Sequence, residues 1–157
     1  MDTISFKVDG LDTLARRLKN LVGLPRLIII PIVAKYALAI QSQAKRLVSV
    51  DQGITRASIL TEYLGAGLTS QIGSEQKTAV WLEMGTAPHM PPPAALAPWC
   101  RRHGMEPGAE WAIARHIAIY GTKAEPFLEP AFMEQAPLFV DDVNAELGKG
   151  IEDNNRS

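Results

Sequence analysis

The chain has 157 residues, 46% of them hydrophobic and 21% charged, enough for one globular core and too few to expect two. Sixteen Lys and Arg nearly balance seventeen Asp and Glu, so no strong overall field draws nucleic acid, membrane phosphates or acidic substrates, and any DNA contact has to be local or transient. A single cysteine, Cys100, excludes an internal disulfide and a cysteine-based zinc framework, and fits assembly in a reducing compartment.

In chain order, residues 3–8 alternate as a short strand with Ile4, Phe6 and Val8 on one face. Their early acid and missing basic region do not read as a secretory signal. Leu11, Leu14, Leu18, Leu21 and Val22 then recur at helical spacing. The apolar run 24–34 contains Arg26, Pro25 and Pro31 and is shorter than the ~20 residues a bilayer span needs, which predicts a soluble chain with no membrane partner.

After a break at Pro25, Ile32, Val33, Tyr36, Ala37, Ile40, Ala44 and Leu47 predict a longer helix ending near Val48, with Pro31 in its first turn. Residues 49–53 carry turn chemistry in Asp51 and Gly53. Segments 58–64, 68–72 and 78–84 read as the three strands of an antiparallel meander. Two short helices follow at 94–102 and 107–120, and a last one begins near Pro126, which Pro137 is expected to kink or divide. The expectation is an α+β fold. Long N-terminal helices pack on a small antiparallel sheet within one domain, 1–147, with a helical insertion at 93–121, a C-terminal helix, and a flexible tail at 148–157.

Candidate chemistry is thin. Cys100 and His103, two residues apart, could clamp a metal from one helical turn, but a second ligand pair is missing. Cys100 with His89 or His116 could form a nucleophile pair, yet nothing local provides a base or cation setting. Gly65-Ala-Gly67 lacks the third glycine and the following helix of a phosphate cradle and reads as a hairpin turn. Glu83, in an apolar run beside Trp81, is either an acid with perturbed titration or an interface carboxylate. Arg16, Arg17, Lys19, Lys45, Arg46, Arg101, Arg102 and Arg115 are scattered, without the compact basic face that sequence-specific nucleic-acid binding needs.

Three segments stand in a telling order: Val48-Ser-Val-Asp-Gln-Gly-Ile-Thr-Arg-Ala-Ser-Ile59, Ala79-Val-Trp-Leu-Glu-Met-Gly-Thr86, and Ala124-Glu-Pro-Phe-Leu-Glu-Pro-Ala-Phe132. Together they resemble the tail-completion, or head–tail joining, proteins of long-tailed bacteriophages. The matching positions are Val50, Asp51, Gly53, Arg56 and Ser58; Glu83, Gly85 and Thr86; and Pro126, Phe127, Leu128, Pro130 and Ala131. Ser49, Gln52 and Thr55 depart from the pattern, at the first loop. The resemblance covers roughly residues 10 to 145 and rests on the order and spacing of its motifs.

The resemblance implies a structural subunit of the virion neck, without active site, metal or cofactor. It would form a homo-oligomeric ring of six copies between the portal-side head connector and the tail terminator or tail tube, with the genome passing transiently through its centre. The residues expected at its interfaces are Asp51, Gly53, Arg56, Glu83, Gly85, Thr86, Pro88, His89, Met90, Pro92, Trp99, Pro126 and Phe127. The proline-stiffened loop 85–93 suits a contact arm, since ordering it sacrifices little entropy. Asp141, Asp142 and Glu146 are candidates for the passage lining. The alternatives are a tail terminator or minor capsid protein of the same particle and, from another class, a metal- or cysteine-dependent enzyme.

Overall fold

A computed structural model of the chain describes residues 24–156. The expected strand at 3–8 and helix at 11–22 lie outside them. Within them the fold is α+β: long helices packed on a small antiparallel sheet, with an inserted pair of helices and a C-terminal helix.

Helix α1 spans Leu24–Leu47. Ile29, Ile32, Val33, Tyr36, Ala37, Ile40 and Ala44 are buried, one stripe at three-to-four-residue spacing. The helix begins a full two turns before the expected start, so Pro31 stands inside it rather than in its first turn. Pro31 is exposed, so the backbone carbonyl it leaves without a helical donor can be met by water.

The last helix, α6, spans Leu128–Arg156 and runs uninterrupted through Pro137 and through the segment expected to fray. It lies antiparallel to α1. Lys35 Nζ donates to Asp142 Oδ2 at 2.6 Å while Gln43 Nε2 donates to Glu134 Oε2 at 2.8 Å, so rising numbers on one helix meet falling numbers on the other. Between them Tyr36 and Phe139 meet edge to face at 5.7 Å, within a core of Ile29, Ile32, Val33, Tyr36 and Val143.

Beyond α1, a one-turn helix α2, Ile54–Ser58, leads into strand β1, Leu60–Leu64. A 3-10 turn at Gly65–Gly67 reverses the chain into β2, Thr69–Gly73, with Leu60 opposite Gly73 and Leu64 opposite Thr69. This hairpin is the whole sheet among the described residues.

The expected third strand is instead a helix, α3, Lys77–Met84. Its burial explains why. Ala79 and Glu83, four apart, face inward, whereas Trp81 and Met84 are exposed; a strand would have put residues 79, 81 and 83 on one face. Ala79 joins the second core cluster, with Ile40, Ala44, Val48, Ile59, Phe127, Leu128 and Ala131. Burying Phe127 completely contributes about 2–3 kcal/mol to the fold.

Two more helices, α4 at Pro93–Arg102 and α5 at Ala109–Tyr120, fall where the sequence predicts them. They pack mainly on each other. No residue between 87 and 121 belongs to either core cluster. The insertion is therefore a helical arm outside the body formed by α1, the hairpin, α3 and α6.

Candidate functional site

The second and third resembling segments meet at the junction between α3, the arm and the start of α6. Helix α3 ends at Gly85, whose φ of +70° suits glycine, and α5 ends the same way at Gly121, φ +72°. Each glycine is followed by a threonine, and the threonines pair. Thr86 N–H donates to the Thr122 carbonyl at 3.1 Å and Thr122 N–H to the Thr86 carbonyl at 3.3 Å, while Thr122 Oγ1 donates to Thr86 Oγ1 at 3.0 Å. The two strands touch closely. A Cβ on Gly121 would lie 1.9 Å from the Thr86 carbonyl oxygen, and one on Gly85 2.5 Å from that of Thr122.

This antiparallel bridge is the stalk of the arm. The 93–121 insertion of the sequence reading is thus better bounded at 87–121, closed at its base by Thr86 and Thr122. Neither Gly121 nor Thr122 was foreseen as a site residue, although the Gly-Thr dipeptide occurs twice in the sequence, at 85–86 and 121–122; in the structure each follows a helix.

Next to the stalk, the Glu83 carboxylate takes three backbone N–H groups at the start of α6: Phe127 at 2.8 Å and Leu128 at 2.9 Å on Oε2, and Glu129 at 2.8 Å on Oε1. The first N–H groups of a helix have no internal partner and carry partial positive charge, so a carboxylate there both satisfies them and complements the dipole. Glu83 is 8% exposed and Phe127 fully buried. Neither presents a contact surface, which corrects their expected interface role: they set where α6 begins. Pro126, just before Phe127, stays exposed.

The first loop holds two other junctions. Arg56 Nε donates to the Lys45 carbonyl at 2.7 Å, capping the C-terminal end of α1. Gly53, at φ +76°, starts α2 with open space around its Cα. Asp51 reaches the arm. Arg102 Nε donates to Asp51 Oδ1 at 2.9 Å and Arg102 Nη2 to Oδ2, a bidentate ion pair. The Arg102 guanidinium holds the Asp51 carboxyl below the usual carboxylate range, against the opposing effect of desolvation.

On the arm, Pro88, His89, Met90 and Pro92 are exposed and Trp99 is half-buried. His89 Nδ1 is 3.0 Å from the Ala87 carbonyl, which can only accept, so that nitrogen carries the proton. His103 stacks on Trp99 at 4.1 Å, and its Nδ1 lies 2.9 Å from the Trp99 carbonyl. Cys100, beside them, is buried at 2% exposure. His116 packs against the Tyr120 ring. Each of the three histidines thus has a contact of its own, Cys100 is buried, and among the described residues no group of three His, Cys, Asp or Glu could hold a metal.

The three candidates for a passage lining part company. Asp142 accepts from Lys35 Nζ and, at 2.8 Å, from Tyr36 Oη; Glu146 accepts from Lys149; Asp141 stands exposed. Among the described residues, no helix is long and apolar enough to cross a membrane.

Compared with known proteins, the chain matches no family model, no curated protein and no solved structure.

Proposed function

We propose that this protein is a structural subunit of a bacteriophage neck, a ring-forming tail-completion component that joins the head connector to the tail around the passing genome. The observation that carries the reading is what the arm and its junction expose. Met84 is 72% and Tyr120 70% exposed, and Trp81, Met90, Trp111 and Ile119 are each more than half exposed. Trp, Tyr and Met are the side chains that protein interfaces enrich at their centres, and so many large apolar groups in water favour association.

A ring needs two different patches on every copy, each complementary to the other. The arm on its stalk and the broad two-helix body are the two different surfaces that this reading assigns to those patches. The three resembling segments build the places where these parts join: the Asp51 ion pair, the Gly85–Thr86 half of the stalk, and the capped start of α6. In this reading the partners are further copies of the chain, the portal-side connector and the tail terminator or tube, with DNA touched only in passage, and the site is the virion neck.

Native mass spectrometry of the purified chain, with electron microscopy of particles carrying a labelled copy, tests the proposal. A closed ring and label at the head–tail junction are expected. A chain that stays monomeric at all concentrations and never occupies that junction overturns it, and label elsewhere on the particle favours a terminator or minor capsid protein.

A further inference from the structure

We propose that the 87–121 arm is a movable element, swung about its Gly-Thr stalk and held against the body by the Asp51–Arg102 ion pair acting as a latch. The inference goes beyond the neck reading and does not depend on it.

Three observations carry it. First, the arm has no share in either hydrophobic cluster of the body, while its own Cys100 and Ala114 are buried. It is a small packed unit whose departure opens no cavity in the core. Second, it joins the body through a ribbon only two chains wide, entered and left at glycines 85 and 121, both at positive φ, with one bridge between Thr86 and Thr122. Motions of whole units concentrate at a few such element-terminal residues, where small φ/ψ changes reorient everything beyond them. The bridge keeps the two strands together, so the arm moves as one body.

Third, the ion pair is a tie separate from that pivot: it joins the C-terminal end of α4 to the loop after α1. Both side chains are about one-third exposed, Arg102 at 36% and Asp51 at 30%. A bidentate pair in that setting fixes orientation, yet water and salt compete with it, so it opens without disturbing the core. It is a specific contact and a breakable one. A partner able to offer Arg102 another carboxylate, or Asp51 another cation, would release the arm and free α4 and α5 to pack elsewhere.

The test is a distance measurement by double electron–electron resonance on the full chain, with spin labels at Glu106 in the arm's turn and Glu62 on β1, and Cys100 replaced by Ala. The wild-type pair is expected to give one narrow distribution at low salt. Asp51→Asn, and independently Arg102→Gln, should each add a second, longer population, as should high salt. The exchange Asp51→Arg with Arg102→Asp should restore the narrow distribution. Hydrogen exchange over residues 40–48 checks that the body stays folded; Arg102→Gln, on the arm and outside both core clusters, should leave that protection unchanged. A distribution unaltered by both single variants overturns the proposal. So does a broadened one that the charge exchange fails to narrow, because the ion pair would then not be what holds the arm.

Discussion

Glu83 Oε2 lies 2.8 Å from the backbone nitrogen of Phe127, joining the end of α3 to the start of α6 across forty-four residues of chain. The same carboxylate serves Leu128 and Glu129. Removing it leaves N–H groups without an acceptor in a largely buried place. Glu83→Ala is expected to lower stability by about 3 kcal/mol, and Glu83→Gln, which keeps one oxygen and loses the charge, by about 1–2 kcal/mol. Urea unfolding measures both; equal losses would mean that the charge contributes nothing at this helix end.

Gly121 and Gly53 differ in what surrounds them. Gly121→Ala must push a methyl into the Thr86 carbonyl, and the loss expected is about 3 kcal/mol, with broken pairing at the stalk. Gly53→Ala meets no atom within 4 Å and suffers only the left-handed backbone, about 1–2 kcal/mol. Thermal unfolding of the two variants side by side checks the order.

Thr86 and Thr122 exchange both of their backbone hydrogen bonds, the geometry that a two-residue turn closes. Replacing residues 87–121 by Asn-Gly should therefore leave a folded body whose stability changes by about 1 kcal/mol or less, since neither core cluster loses a member. Cooperative unfolding and native-like amide protection across α1 are the expected result. A chain that aggregates or melts without cooperativity would show that the arm supports the body.

Lys35, then Tyr36, each by donating a hydrogen bond, hold the Asp142 carboxyl below its ordinary range. A depressed carboxyl contributes stability above its unfolded value, near pH 4, and loses it as pH falls through the lower folded value. Lys35 is raised, chiefly by its bond to Asp142, and Tyr36 is raised, chiefly by desolvation and then by Asp142. Their contributions are present below about pH 10 and vanish as pH climbs through their folded values. Asp142→Asn should therefore flatten the stability profile at both ends, lowering stability most between about pH 4 and 10, where all three groups contribute, and least at the extremes. Denaturant midpoints from pH 2 to 11 measure this; a profile parallel to wild type would exclude Asp142 as the linking group.

Sequence alone determined the elements whose chemistry is local. The apolar stripe from Ile32 to Ala44 makes α1 because one face repeats at helical spacing. Asp51 to Gly53 make a turn because Gly53 takes a positive φ. Gly65-Ala-Gly67 reverses the chain between two short strands, and His103-Gly104 separates two helices. Of the expected site residues, Glu83 and Phe127 meet at the start of α6 while Asp51 and Arg56 hold other contacts, and Pro88, His89 and Met90 are exposed on the arm.

Tertiary structure decided the rest. The run Thr78 to Met84 carries apolar side chains that suit either period, and only the core that receives Ala79, together with the helix end that receives Glu83, selects a helix over a strand. Pro137 continues within α6 because that turn faces solvent, where water can take the carbonyl that proline leaves without a helical donor. The partner of Thr86 lies thirty-six residues away at Thr122, and that of Asp51 fifty-one away at Arg102. Pairings at such distances along the chain depend on how the intervening elements pack, which no local pattern encodes.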